Sequence, residues 1–403
     1  MEEGTYPIIT LKKGKNESLQ RCHPWVFSGA IQQSSRPLEE GEIVDVYNSD
    51  GCFLARGYCE IGSIAVRVLT FKEEEYIDAS FLKNRLESAL DLRKKIRLVR
   101  HDNTIFRLVH GEGDFLPGLV VDIYGSVAVI QAHTVGMHLL RETIKDVLLQ
   151  APFSEIIKSV YYKSDTTLPF KAEVDFTSGL IGGEKFTDTY ALENGIKIYP
   201  DILRGQKTGF FVDQRENREL LQNYSKGARV LNMFCYSGGF SIYALRGGAK
   251  RVVSVDSSAK AIEMMQRNIE ENREFWAEDS THEAFVEDAF RYLDRVEPGE
   301  FDVVVLDPPA FAKHRKVLHN ALQGYRKLNV AAMSKMKSGS ILFTFSCSQA
   351  VSPEQFRQAV FTAALQAGKQ VRILHQLTQP ADHPVSIYHP EGEYLKGLVL
   401  YIA

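Results

Sequence analysis

From about residue 191 onward the chain alternates apolar runs of strand character with amphipathic stretches, and few folds accept that rhythm. Strands are expected at 229–234, 251–256, 283–287, 302–307, 340–346, 371–376 and 397–402. Helices are expected at 259–272, 317–336 and 353–367. Runs such as Asp302-Val-Val-Val-Leu306 and Ile341-Leu-Phe-Thr-Phe345 read as strands buried on both faces, which is the signature of parallel sheets. The alternation predicts an α/β fold with a doubly wound, seven-stranded, mainly parallel Rossmann-like sheet over residues 191–403. Such sheets bind ligands beyond the carboxyl ends of their strands, so the residues that follow each run are where chemistry is expected.

The first half reads differently. Residues 1–72 hold short strand candidates at 8–11, 25–27, 43–47, 53–57 and 64–71, with Asp50-Gly51 as a hairpin turn, and suggest a compact barrel or sandwich. A charge-rich stretch at 72–76 marks a boundary. A helix over 79–98 follows, with Phe81, Leu82, Leu86, Leu90 and Ile96 apolar. Strands at 106–109, 119–123 and 127–131, a helix at 138–149, and weaker strands at 156–162 and 173–176 complete a small central α+β domain over 73–190.

Bulk properties exclude several classes. The N-terminus lacks a basic region followed by an apolar stretch, so no secretory leader is expected, and no apolar run reaches the ~20 residues of a membrane span. A cytoplasmic protein is the expectation. A net charge of -3 means that any nucleic-acid surface must be local. The five cysteines are scattered and lack metal-ligand spacing, so they read as reduced thiols, with no metal site expected.

Residues 232–241, Asn-Met-Phe-Cys-Tyr-Ser-Gly-Gly-Phe-Ser, run from a strand through a glycine turn into a helix. Gly238 and Gly239 let backbone approach a ligand, with Asn232 and Phe234 in the same loop. Asp256, 18 residues beyond Gly238, closes the next strand and suits a ribose diol. Asp288, after the third strand, suits an adenine amino group. The order is not the dinucleotide fingerprint that seats a pyrophosphate. A cofactor with a ribose and no phosphates fits, and S-adenosylmethionine is the expected one.

Asp307-Pro-Pro and Ser346-Cys347 end two further strands. A thiolate adding to carbon 6 of cytosine makes carbon 5 nucleophilic toward a sulfonium methyl. Cys347 is the candidate nucleophile and Asp307 the candidate for the pyrimidine edge and the cofactor, with Pro308 and Pro309 fixing the turn. Cys235, in the cofactor loop, is the rival thiol and reads as structural; the base is unassigned. Amino-group methylation is the competing chemistry, and its usual aromatic directly after the prolines is here Ala310, with Phe311 displaced by one. A non-catalytic RNA-binding or assembly factor is the alternative outside enzymes.

These residues resemble a known family, the PUA-domain 23S ribosomal RNA cytosine-C5 methyltransferases of bacteria and archaea. The likeness rests on Leu11-Lys-Lys-Gly-Lys15, His23-Pro-Trp-Val-Phe-Ser-Gly29, Arg56-Gly-Tyr58 and Leu116-Pro-Gly-Leu-Val-Val-Asp122. It continues through Gln206-Lys-Thr-Gly-Phe-Phe-Val-Asp-Gln-Arg-Glu-Asn217, the 232–241 loop, residues 307–313, Ser346-Cys-Ser348, Asp382-His-Pro384 and Glu393-Tyr-Leu-Lys396. Phe115 stands where the family often has a small residue. The resemblance implies a PUA barrel over 1–72, a central α+β domain over 73–190 and a methyltransferase domain over 191–403. It further implies S-adenosylmethionine near Lys207, Thr208 and Phe210, Cys347 as the attacking thiol, and large-subunit ribosomal RNA as partner. A homodimer is left open.

For RNA contacts, Lys313, Arg315 and Lys316 follow the catalytic turn and suit phosphates beside the target, with Phe311 near the base. The basic run Arg93-Lys-Lys-Ile-Arg97 reads first as a solvated helix face, and Trp25 and Phe27 as barrel core. His383 suits either proton transfer or turn capping.

Overall fold

A computed structural model describes residues 6–169, 177–187, 190–312 and 317–403. It falls into two compact units, one of Met1–Asn194, Pro200–Phe210 and Ala381–Gly392, the other of Gly195–Tyr199, Phe211–Pro380 and Glu393–Ala403.

The first unit holds two sheets. Six strands pair in the order Trp25–Phe27, Ile64–Thr70, Phe53–Cys59, Ile43–Tyr47, Ile8–Leu11, Ile31–Ser34. The two edge strands are separated in sequence only by the turn Ser28–Ala30. Flat, six strands span about 24 Å from edge to edge. The connecting chain reaches only about 14 Å, so the sheet must curl. Inside it lie Ile9, Leu11, Leu19, Val26, Val44, Val46 and Val66. Val26 is 1% exposed and Phe27 45%, because neighbours on a strand point to opposite faces; Phe27 is therefore not core, contrary to the sequence reading. Strand Ile31–Ser34 escaped that reading because Ile-Gln-Gln-Ser carries one apolar residue.

The second sheet has five strands, in the order Gly179–Gly183, Ser159–Tyr162, Val127–Ala132, Leu119–Tyr124, Ile105–His110. Helix Ala79–Lys95 begins at Asp78, whose carboxylate accepts from the Phe81 amide at 2.8 Å, and packs Leu82, Leu86 and Leu90 against this sheet. The expected strand at 173–176 lies outside the described residues. Arg93 corrects the reading of the basic run: it is fully buried, grips Asp114 with both terminal nitrogens, and donates to the Asp382 carbonyl at 2.7 Å. Removing one partner of such a pair costs about 3–5 kcal/mol. Phe115 has a left-handed backbone, φ +58°, which a side chain of its bulk adopts only under strain.

The second unit is built on a seven-stranded sheet. We label its strands β1 (Arg229–Met233), β2 (Arg251–Asp256), β3 (Thr281–Val286), β4 (Val303–Leu306), β5 (Ile341–Ser346), β6 (Val371–Thr378) and β7 (Lys396–Ile402). The spatial order is β3-β2-β1-β4-β5-β7-β6. Strands β1 to β5 pair in parallel, while β7 runs antiparallel to both its neighbours. Helices α1 (Arg215–Asn223), α2 (Gly239–Arg246), α3 (Ala259–Glu271), α4 (Ala289–Arg295), α5 (Leu318–Lys335) and α6 (Pro353–Gln366) alternate with the strands, and α6 opens on a Ser352/Gln355 capping box. The strand order reverses at β1/β4, the switch point where such sheets bind ligands. None of the described helices is long and apolar enough to cross a membrane.

Candidate active site

Two loops leave the carboxyl edge of the seven-stranded sheet. The first follows β1, and its backbone is unusual: Phe234, Tyr236 and Gly238 have φ of +60°, +44° and +84°. At Gly238 a Cβ would lie 2.4 Å from Met265 Cγ, so both conformation and space call for glycine. Gly239 opens α2, and Phe234 packs its ring against the core beneath. Asp256, at the end of β2, accepts from the Tyr236 amide at 3.0 Å and the Ser258 amide at 2.9 Å. Those bonds fix the carboxylate beside the loop.

Beneath the loop runs a buried polar chain. Asn232 Nδ2 donates to Ser241 Oγ at 2.8 Å, Ser241 Oγ meets Ser254 Oγ at 2.7 Å, and Ser254 Oγ meets His282 Nε2 at 2.9 Å. Burial pulls the His282 imidazole down to about 4, so at neutral pH the ring is uncharged and the whole chain is neutral. Asn232 Oδ1 is buried without a hydrogen-bond partner. A glycine cradle, a held carboxylate and an orphan acceptor fit a ligand rich in hydroxyl and amino donors, as S-adenosylmethionine is. Asp288, exposed after β3, caps α4 by accepting from the amides of Phe290 at 3.0 Å and Arg291 at 3.2 Å. Cys235 is buried, and desolvation with the nearby Asp256 carboxylate pushes its thiol well above the usual value.

The second loop follows β5. Strands β4 and β5 pair with Leu306 opposite Thr344, so Asp307 and Cys347 leave the same edge of neighbouring strands. Ser348 ties the two turns: its hydroxyl accepts from the Ala312 amide at 3.2 Å and hydrogen-bonds Tyr325 Oη at 2.8 Å. Pro308 is buried and Pro309 exposed, while Cys347 is partly exposed. The Phe311 ring lies 4.6 Å from that of Tyr325 and against Gly324, where a Cβ would come within 2.9 Å of it. Phe311 is thus engaged with α5. Lys313, Arg315 and Lys316 lie outside the described residues.

Lys396 ends the motif Glu393-Tyr-Leu-Lys396. It opens β7 opposite Ser346, is 6% exposed, and its ammonium donates to the carbonyls of Ser348 and Val351, each at 2.6 Å. Burial pulls it down to about 8, against the opposing pull of Cys347 and then Glu393. The one signal in the sequence was a lysine heading an otherwise apolar strand.

Lys207, Thr208 and Phe210 belong to the first unit. Lys207 is exposed with φ +49°; Thr208 is fully buried and donates to Asp122 at 2.6 Å, with Tyr124 Oη 2.8 Å away; Phe210 is buried. The stretch before them is held by Lys163, which donates to the carbonyls of Ile202 at 2.7 Å and Gly205 at 2.8 Å. His383 is buried against Asp382, 3.1 Å away.

His23, His389 and Glu391 also converge, their donor atoms within 4.8 Å of one another. The Trp25 amide, however, donates to His23 Nδ1 at 3.2 Å. The neutral ring's proton therefore sits on Nε2, the nitrogen that faces Glu391, and no lone pair is offered to a metal there.

Comparison with known proteins agrees with this geometry. The family model for S-adenosylmethionine-dependent methyltransferases matches residues 116–387, and that for a PUA-like domain matches residues 9–71. Ribosomal RNA large subunit methyltransferase I of Aeromonas salmonicida (strain A449) is 41% identical over 398 residues, 98% of each chain. The protein of that name from Tolumonas auensis is 41% identical over 399 residues, 97% of this chain and 98% of its own. A putative methyltransferase from Streptococcus mutans shares the fold, with a TM-score of 0.81, 20% identity and coverage of 98% and 99%. A structure of a putative methyltransferase complexed with S-adenosylhomocysteine also gives 0.81, at 21% identity and the same coverage. The chain belongs to the S-adenosylmethionine-dependent methyltransferases, in the family whose members include the enzymes named ribosomal RNA large subunit methyltransferase I.

Proposed function

We propose that the protein forms 5-methylcytidine in 23S ribosomal RNA, with Cys347 as nucleophile. The observation that carries this reading is the tie between the two turns: Ser348 joins the Asp307-Pro-Pro turn to the Cys347 loop at the end of β4 and β5. The relatives' name supports the substrate. The engagement of Phe311 with Tyr325 speaks against amino-group methylation, which uses an aromatic ring at that turn to stack on the base. The division of labour we propose follows domains 1–72, 73–190 and 191–403, the first holding RNA.

S-adenosylmethionine, held by the 232–241 loop, Asp256 and Asp288, supplies an electrophilic methyl group. Cys347 as thiolate forms a bond to carbon 6 of the cytosine, and the ring electrons it displaces make carbon 5 nucleophilic. Asp307 binds the N3/N4 edge and stabilises the adduct. When the methyl has passed to carbon 5, leaving S-adenosylhomocysteine, the carbon 5 proton goes to a base, the electrons of that C–H bond expel the sulfur from carbon 6, and Cys347 returns as thiolate.

Incubation with S-adenosylmethionine and ribosomal RNA bearing 5-fluorocytidine tests this. Fluorine does not leave as a proton does, so a denaturation-resistant protein–RNA adduct should accumulate and be absent in Cys347→Ala. Methylation of unsubstituted RNA without such an adduct would overturn the reading in favour of an amino group.

A further inference from the structure

Lys396 is an expensive residue to place where it is. Taking an ammonium out of water costs several kcal/mol, and neutral carbonyls offset that only in part. The strand it opens, Lys-Gly-Leu-Val-Leu-Tyr-Ile, is otherwise one a membrane-free core would fill with apolar groups. Yet the side chain is 6% exposed and spends two of its three N–H donors on Ser348 O and Val351 O, the two ends of the turn that follows Cys347. Its place opposite Ser346 and its bond to Ser348 O bracket Cys347, the residue between those two. Two groups with anionic forms act on the ammonium, and Cys347 pulls harder than Glu393. Of the other titratable groups about this turn, Tyr325 on α5 is held as a neutral phenol by burial, and Asp307 leaves the neighbouring strand at the same edge. A buried cation beside a thiol is the microenvironment that converts thiols to nucleophiles.

We infer that Lys396 is a positioning residue that holds Cys347 as a thiolate, with its ammonium as the fixed counter-charge and its two carbonyl bonds as the frame that keeps the sulfur at the sheet edge. This rests on Cys347 being the nucleophile. It goes further in assigning the source of its reactivity to the one strand of the sheet that runs backwards.

The test reads the thiol directly, without RNA. The rate at which iodoacetamide alkylates Cys347 is followed against pH in the full-length protein, with the Cys347 peptide resolved by mass spectrometry from those of the other cysteines. In the wild type the alkylation midpoint is expected below the ordinary thiol value of about 8.5. In Lys396→Met it should rise by at least about one pH unit, so alkylation at pH 7 slows about tenfold, and Lys396→Arg should restore most of the difference. Lys396→Gln, which keeps a donor for the carbonyls and loses the charge, serves if the methionine variant does not fold, and should show the same rise. A merely structural lysine would leave the midpoint in place. A wild-type midpoint at or above about 8.5, or one that a folded charge-removing variant leaves unmoved, overturns the inference. Neither result touches the fluorocytidine adduct, so failure here and failure of the C5 reading are separable.

Discussion

Two thiols sit on loops of one sheet edge, with β4 between their strands, and their surroundings are opposite. Cys235, after β1, is buried beside the Asp256 carboxylate, and both burial and that charge keep it protonated. Cys347, after β5, is partly exposed and has a buried ammonium on its loop. The β1 loop is stitched from below by neutral hydrogen bonds through Asn232, Ser241, Ser254 and His282; the β5 loop is stitched by a charge. The lesson is that chemistry at a sheet edge is allotted by what lies beneath each loop. Residue type alone would make the two cysteines equivalent.

The sharpest way to break the contrast is to delete each thiol in turn. Cys347→Ala should reduce methyl transfer to ribosomal RNA to background, while Cys235→Ala should stay within a few-fold of wild type; tritium transfer from labelled S-adenosylmethionine reads both. If the order were reversed, the allotment argued here would be wrong. Next in size, Asp307→Asn should lower kcat about 10²- to 10³-fold, the usual loss when one group that stabilises a developing charge is removed, with cofactor binding by calorimetry changed far less. Asp256→Asn should do the opposite. It removes a charged acceptor worth about 1.5–3 kcal/mol, so the Kd for S-adenosylmethionine should rise about ten- to a hundredfold, with kcat at saturation nearly kept.

The smallest effect concerns the neutral chain under the β1 loop. The folded His282 imidazole takes a proton only near about pH 4. The unfolded chain takes it near about pH 6.5. Between those values the unfolded state binds more protons, so stability falls as pH drops through the window and returns as it rises. His282→Gln should flatten that acid loss by at most about 3 kcal/mol in urea melts between pH 6.5 and 4. Activity at neutral pH should be unaffected.

The seven strands were legible because parallel strands buried on two faces must be nearly continuous in Val, Leu and Phe, as at Val303–Leu306. The glycine loop and Asp256 were legible because a tight turn and a strand-end carboxylate leave local marks. What stayed hidden depends on which residues meet. Lys396 is far along the chain from Cys347, and nothing local says that β7 inserts beside β5. Arg93 looked like one of four basic neighbours until the helix turned it inward onto Asp114. The polar residues Asn232, Ser254 and His282 sit on three adjacent strands, and their linkage exists only once β1, β2 and β3 pair. Gly179–Gly183 forms a strand although three of its five residues are glycines, a composition that ordinarily argues against one.

The position of β7 in the order of synthesis bears on when the protein becomes reactive. It is the last of the seven strands to be made, yet it lies between β5 and β6, and among the described strands β6 pairs with it alone. A chain emerging from the ribosome has therefore already released the thiol, the Asp307 turn and the glycine loop while its sheet still has an open gap. Until residues 396–402 thread into that gap, the carbonyls of Ser348 and Val351 have no ammonium to bind. On the inference drawn above for Lys396, closing this gap in the sheet and arming the sulfur are one event.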